Sequence, residues 1–149
     1  MRAQELRLEP GDRRVARRQV RDDLALEAER FRLKVEAGAR FAMTQVVFDL
    51  SYLESFLERI GGSPIPLLVG VWPIRSLDLA VRVHNETPGI VVPEHVQERY
   101  RAAGPEAAAV GVELVRGLIE GARSIAAGVY VVAPFRRPLG VLDVLEGVV

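Results

Sequence analysis

The stretch FAMTQVVFDLSYLESFLERIGG, residues 41–62, contains the unit that decides the fold. Residues 41–48 form a short apolar run with polar side chains near its end, a pattern typical of a buried strand. The apolar residues that follow recur at helical spacing, and Gly61-Gly62 ends that pattern. Ser51 followed by Glu54 predicts a capping box at the helix start. The stretch is therefore interpreted as a strand followed by a helix.

The same unit occurs twice more along the chain. Residues 65–71 and residues 128–133 are apolar runs, and helical patterns follow both of them. A helix that Gly38 ends precedes the first strand, and three helices separate the second strand from the third. Strands that alternate with helices imply parallel pairing, and apolar strands imply a sheet covered on both faces. The sequence thus predicts an α/β fold with three parallel strands.

Composition excludes several classes of function. Twenty Lys+Arg balance twenty Asp+Glu in 149 residues, so the formal net charge is +0, unlike that of most nucleic-acid or membrane-surface binders. The absence of cysteine excludes disulfides, thiolate catalysis and cysteine-ligated metals. We see no apolar run long enough to span a membrane and no secretory signal, so we expect a cytoplasmic location.

Residues 1–23 differ from the rest. They hold seven arginines among acidic residues, with no clear apolar period, which predicts an exposed, disordered arm. An RNA-binding arm is the more specific alternative. However, the acidic residues weaken its positive electrostatic potential, and no aromatic side chains are interleaved for stacking on bases. Residues 24–149 are expected to form the folded part.

Chemistry in parallel α/β folds collects at the carboxyl ends of the strands. The candidates there are Thr44, Gln45, Asp49, Trp72, Arg75, Tyr130, Arg136 and Arg137. The Gln45 amide could hold the edge of a heterocycle, or Thr44 and Gln45 could bond only loop backbone. Tyr130 could stack on a ligand ring or fill the core.

We expect structural roles for most of the other polar candidates. We expect Asp49 to cap a helix rather than to act as an acid or base, and Arg136 and Arg137 to be solvated rather than to bind an anion. His84 and His95 have no partner at metal-ligand spacing, so we expect structural histidines and no metal site.

One segment carries a family resemblance. KVEAGARFAMTQVVFD, residues 34–49, resembles the KxxAGAxFxxTQxxFD signature of methylenetetrahydrofolate reductases. The similarity continues through residues 66–74, 84–90 and 128–130, and residues 131–136 are closer to the reductase half of bifunctional proteins fused to homocysteine S-methyltransferase. The resemblance covers residues 24–149 and implies a partial TIM (β/α)8 barrel, its last three βα units.

The resemblance also implies an activity and roles for individual residues. Members pass electrons from NAD(P)H through FAD to 5,10-methylenetetrahydrofolate and release 5-methyltetrahydrofolate. Gln45, with Thr44 beside it, falls at the position that binds the folate or the nicotinamide. Lys34, and with it Glu27 and Arg30, fall where the family's helix meets the phosphates and ribose of FAD. Tyr130 falls near the flavin.

The sequence departs from the family pattern at several positions. Leu79 and Val83 replace a folate-contacting glutamine and a phenylalanine, and Pro134 stands near a substrate-binding arginine. The resemblance covers only the last three strands, so the front half with the family's catalytic residues has no counterpart. We therefore expect a truncated or frame-disrupted reading of a reductase gene. The alternative is a non-catalytic remnant or assembly module whose open sheet edges are covered by a partner or by a second copy.

Overall fold

A computed structural model describes residues 13–133 and 138–146, with side chains from Leu24 onward. Its helices are α1 (Arg13–Glu36), α2 (Ser51–Ile60), α3 (Leu77–Glu86), α4 (Glu94–Ala103), α5 (Ala107–Ala122) and α6 (Leu142–Leu145). Its strands are β1 (Ala42–Val46), β2 (Leu67–Val71) and β3 (Gly128–Val131). The order of helices and strands agrees with the predicted one. None of the described helices is both long enough and apolar enough to cross a membrane.

The chain divides into two compact units, residues 1–38 and residues 39–149. In the first unit, the described side chains of α1 form a stripe of less exposed apolar residues at helical spacing: Leu24, Ala28, Phe31 and Val35. Gly38, with φ of 99°, follows the helix and donates its N–H to the Val35 carbonyl, as the predicted end of the helix requires. The helix begins at Arg13, inside the segment 1–23 predicted as an arm, and residues 1–12 lie outside the described part.

The second unit is built on one sheet with the strand order β1-β2-β3, and both pairings are parallel. This confirms the predicted parallel α/β arrangement. One face of the sheet, which includes Leu67, Val69 and Val71, packs on α2, α5 and α6 in an apolar cluster. The opposite face is called the bare face below, and it carries Met43, Leu68, Gly70 and Tyr130.

The bare face differs from the prediction that helices cover both sides. Met43 is 53% exposed, and neither Met43 nor Leu68 belongs to an apolar cluster of the described residues. Leu67, Val69 and Val71 of β2 lie on the covered face, whereas Leu68 and Gly70 face the other way. Because Leu68 and Gly70 are apolar as well, β2 shows no alternation of apolar and polar residues, and its sequence does not reveal that one face is uncovered.

A second apolar cluster continues from the carboxyl ends of the strands. Val46 at the end of β1, Phe48 beyond it and Ile74 after β2 pack there with α3, α4 and the start of α5. Tyr100 of α4 is 1% exposed in this cluster, and its burial raises the pKa of its hydroxyl to about 12. Gly111 of α5 touches the chain after β2 so closely that a Cβ there would collide with the carbonyl oxygen of Ile74. The cluster fixes the loops that follow the strands.

Helix ends test the predicted caps. Ser76 caps α3, because its Oγ accepts the Leu79 N–H at 3.2 Å. The predicted capping box of α2 is wrong: Ser51 is already helical, and its N–H donates to Asp49 Oδ1 at 2.8 Å. Asp49, two residues earlier in the chain, therefore supplies the side-chain acceptor at the start of this helix.

The last helix is also shorter than predicted. The spacing over residues 139–145 predicts an apolar face of leucines, but Leu139 and Leu142 are 74% and 58% exposed. A 3-10 turn, Pro138–Val141, precedes the four residues of α6, and Val144 is the buried one. The change from 3-10 to α geometry alters which residues share a face, so the predicted face is wrong.

Candidate functional site

A β-bulge interrupts the pairing of β1 with β2 near the carboxyl end of β1. Ala42 pairs with Leu67 and Met43 with Leu68, but the next pair is Val46 with Gly70. β1 therefore contains one extra residue, and the irregularity falls on Thr44 and Gln45. Bulges take backbone groups out of the hydrogen-bond ladder and change the direction of a side chain, and they are frequent beside active sites.

Side chains replace the ladder bonds lost at the bulge. The Gly70 N–H donates to Thr44 Oγ1 at 3.0 Å, and the same hydroxyl donates to the Gln45 carbonyl at 2.7 Å. The Val46 N–H donates to Gln45 Oε1 at 2.9 Å. Both Thr44 and Gln45 therefore bond backbone, which is one of the two interpretations that the sequence leaves open.

Tyr130 completes the arrangement from β3, the outer strand opposite β1. It pairs with Gly70 in the register of β3 with β2, and its hydroxyl donates to the Thr44 carbonyl at 2.6 Å. The ring lies over Gly70, where a Cβ would approach Tyr130 Cζ to 2.6 Å. Thr44, Gln45, Gly70 and Tyr130 thus form one connected group, called below the bulge site.

Gln45 is the exposed member of the bulge site. Because a backbone N–H can pair only with the oxygen of an amide, the bond from Val46 fixes which end of the Gln45 side chain is turned inward. The two N–H donors of Nε2 have no hydrogen-bond partner among the described residues. The side chain can therefore donate to a ligand while it remains anchored to its own backbone.

Asp49 lies just beyond this site. Its carboxylate accepts the Ser51 N–H, which lowers the pKa of the carboxyl below its ordinary value, and His95 Nε2 lies 3.8 Å from Oδ2 and acts in the same direction. A lowered pKa keeps Asp49 ionised at neutral pH. This supports the expected capping role rather than one in proton transfer.

The histidines have structural surroundings. His84 Nδ1 accepts the Val92 N–H at 3.2 Å, and Gln97 Nε2 donates to the Val92 carbonyl at 2.9 Å. Gln97, which is the one buried polar side chain among the described residues, was not singled out in the sequence. The residues that the structure describes contain no group of three or more potential metal ligands.

Three candidates lie on α1, in the first unit. Positions 27, 30 and 34 share one face of a helix because they are three and four residues apart. Arg30 Nη1 pairs with Glu27 Oε1 at 2.7 Å, and both side chains are about half exposed. Lys34, the one lysine of the chain, is exposed and has no ion-pair partner among the described residues. The structure therefore brings these three together on one face of α1.

The remaining candidates are scattered. Val83 is buried in the second apolar cluster, and Leu79 and Trp72 pack against it. Arg75 is exposed. Pro134, Arg136 and Arg137 lie outside the described residues.

Sequence reasoning missed the bulge and the part that Gly70 plays in it. The available signal was Gly70 itself, because an isolated glycine in an apolar strand indicates a bulge or a close approach. The glycine allows the close approach, and the bulge lies on the neighbouring strand.

Comparisons with known proteins identify a family. A family model described as methylenetetrahydrofolate reductase matches residues 16–131, from within α1 to the end of β3. The match includes the bulge site and the three candidates on α1. It begins inside the segment 1–23, for which the sequence suggested no resemblance.

One curated relative is methylenetetrahydrofolate reductase 1 of Schizosaccharomyces pombe. It is 28% identical to this chain over 79 residues, which are 52% of this chain and 13% of that protein. The matched region is thus about an eighth of the length of this relative.

Proposed function

Because the chain belongs to the methylenetetrahydrofolate reductase family, we propose that it forms the carboxyl-terminal part of a TIM barrel. The barrel reduces 5,10-methylenetetrahydrofolate to 5-methyltetrahydrofolate with NAD(P)H and FAD, in the cytoplasm. Three parallel strands with helices on one face are what one arc of such a barrel requires, since the other face is turned to the barrel interior. The remaining strands come from a missing half or from a second copy.

The observation that carries the proposal is the bulge site. It lies near the carboxyl ends of β1 and β3, the edge at which parallel barrels hold their substrates. Gln45 supplies amide donors there for a pterin or a nicotinamide, and Thr44 and Tyr130 support it. These residues bind and orient a substrate; the resemblance assigns the proton and hydride steps to residues beyond this chain.

The residues on α1 have the chemistry that FAD requires. The Lys34 ammonium can neutralise a diphosphate as a point charge, and the Glu27 carboxylate can accept from ribose hydroxyls. Arg30 lies beside Glu27 and holds that carboxylate in place. When bound, FAD would supply the hydride chemistry. The contribution of this chain is to hold the cofactor.

Flavin binding tests the proposal directly. We expect the purified chain to quench FAD fluorescence on titration, and Lys34→Met to weaken that binding by about tenfold through the loss of a charge-assisted contact. Arg32→Met is the matched control, because Arg32 lies on the same helix and pairs with Glu29 and Glu36. No binding, or equal weakening by both variants, would contradict the proposal.

The second candidate function is a non-catalytic assembly module. The observation that favours it is the bare face, where Met43 of the outer strand β1 is 53% exposed, in a sheet whose two outer strands each have an edge unpaired among the described residues. We expect the chain to self-associate in sedimentation experiments, and we expect Met43→Lys to abolish that association. Val91→Lys, a change at another exposed apolar residue, should leave the association unaffected. A monomeric chain at micromolar concentration would exclude this candidate.

A further inference from the structure

The bulge ties down both peptide groups that flank Gln45. The carbonyl of the preceding peptide, on Thr44, accepts from the Tyr130 hydroxyl at 2.6 Å. The carbonyl of the following peptide, on Gln45 itself, accepts from Thr44 Oγ1 at 2.7 Å. Because peptide groups are planar, fixing both carbonyls fixes the backbone rotation of Gln45. The direction of its side chain therefore depends on contacts made by other residues.

Tyr130 is the most distant of these contacts along the chain and the one that a neighbouring glycine makes possible. Any side chain on Gly70 would displace the Tyr130 ring, since a Cβ there would lie 2.6 Å from Cζ. Gly70 also donates its N–H to Thr44 Oγ1. The middle strand thus provides both the space for the tyrosine and the second anchor of the bulge.

The anchored Gln45 amide has a defined polarity. Its Oε1 accepts the Val46 N–H, so the oxygen is in use within the chain. Only N–H donors remain for a ligand, and they pair with acceptors such as a carbonyl oxygen or an unprotonated ring nitrogen. A ligand group that only donates would find no partner there.

We propose that Tyr130 is a positioning residue for Gln45: through the Thr44 carbonyl it holds the bulge in which Gln45 offers a ligand hydrogen-bond donors only. The ligand class is then a heterocycle or carboxamide that presents an acceptor to Gln45. The identity of this ligand rests on the proposed function, whereas the role of Tyr130 does not.

Nuclear magnetic resonance of the full chain tests the positioning role without a ligand. In Tyr130→Phe we expect the Gln45 side-chain NH2 signals to shift and the Val46 amide to exchange with deuterium about tenfold faster. Tenfold corresponds to about 1.4 kcal/mol, the size of one hydrogen bond. Val69 lies in the covered core, so the exchange rate of its amide reports the stability of the whole fold. That rate is used to correct the Val46 rate for any general loss of stability.

Two comparisons make the result specific. Tyr52→Phe removes the same atom from a tyrosine on α2 and should leave the Gln45 signals in place. Thr44→Ser retains the hydroxyl and should resemble the unchanged chain, whereas Thr44→Val should reproduce the effect of Tyr130→Phe. Unchanged Gln45 and Val46 signals in Tyr130→Phe, or an equal change in Tyr52→Phe, would overturn the positioning role.

Binding of 5-methyltetrahydrofolate tests the polarity separately. Gln45→Glu retains the acceptor for Val46 but lacks donors when ionised, so we expect at least tenfold weaker binding. Equal binding by this variant would overturn the donor-only assignment. If the unchanged chain binds no folate, the proposed function fails while the resonance experiment still decides the role of Tyr130.

Discussion

The hydroxyl of Tyr130 on β3 donates to the carbonyl of Thr44 on β1 at 2.6 Å, across the full width of the three-stranded sheet. Gly70 of the middle strand lies between them and has no side chain to interfere. The two outer strands are therefore joined by a direct bond in addition to their ladders with β2.

Gly70→Ala tests this crossing. We expect a loss of about 1–3 kcal/mol in the free energy of unfolding, because the added Cβ lies too close to the Tyr130 ring, which must move. Urea unfolding measures the loss. Adding Tyr130→Val removes the ring, so the double variant should recover part of the stability lost in Gly70→Ala. Equal stability of Gly70→Ala and the unchanged chain would show that the ring can move without cost.

Two glycines of α5 should respond oppositely to alanine. Gly111→Ala places a Cβ against the backbone carbonyl of Ile74, so we expect a loss of about 1–3 kcal/mol in unfolding free energy. A Cβ at Gly117 meets nothing within 4 Å, so Gly117→Ala should stabilise the chain by up to about 1 kcal/mol through helix propensity. Thermal unfolding of both variants measures the difference. The same sign for both would contradict the packing described for Gly111.

Asp49 should make stability depend on acid pH. The Ser51 N–H lowers the folded-state pKa of Asp49 below 3.8, so its contribution is present above that value and is lost as the pH falls through the lower, folded pKa. Asp49→Asn still accepts the Ser51 N–H but does not titrate. We therefore expect the stability difference between the two proteins, measured by urea unfolding, to shrink below about pH 4. A difference that is constant from pH 7 to pH 3 would rule out this linkage.

Gln97 should contribute more to the free energy of unfolding than its exposed neighbour Glu98. Gln97→Leu removes the donor to the Val92 carbonyl, which then lies buried without a partner, at an expected cost of about 1–3 kcal/mol in unfolding free energy. Glu98→Gln, on the exposed side of α4, should change stability by less than about 0.5 kcal/mol. Chemical denaturation of both variants provides the comparison, and similar values for the two would refute the bond's importance.

The strands and their direction could be predicted from the sequence because each βα unit has its own apolar run and its own end signal. Gly61, with φ of 72°, and Ser76 are local signals and act locally. The cap of α2 was harder to predict, because Asp49 and Ser51 can both accept a hydrogen bond at the helix start. Only the backbone conformation between them determines which side chain does so.

Gly70 signals a close approach, but the position of the bulge on β1 could not be predicted, because it depends on partners distant in sequence. Thr44 and Tyr130 are 86 positions apart, and no local pattern shows that one will bond the other. The bare face could not be predicted either, since its two residues on β2, Leu68 and Gly70, are as apolar as those on the covered face. The candidates Gln45 and Thr44 came from the family resemblance and from their place after a strand, whereas their mutual geometry required the structure.

Met43 gives the bare face a built-in chemical reporter. It is the single methionine after Met1, and its thioether is accessible on the uncovered side of the sheet. Peroxide oxidises accessible thioethers to sulfoxides, whereas a packed one reacts slowly. The mass added to this residue after a timed exposure therefore records whether another protein surface was covering the sheet at that moment, even inside an unfractionated extract.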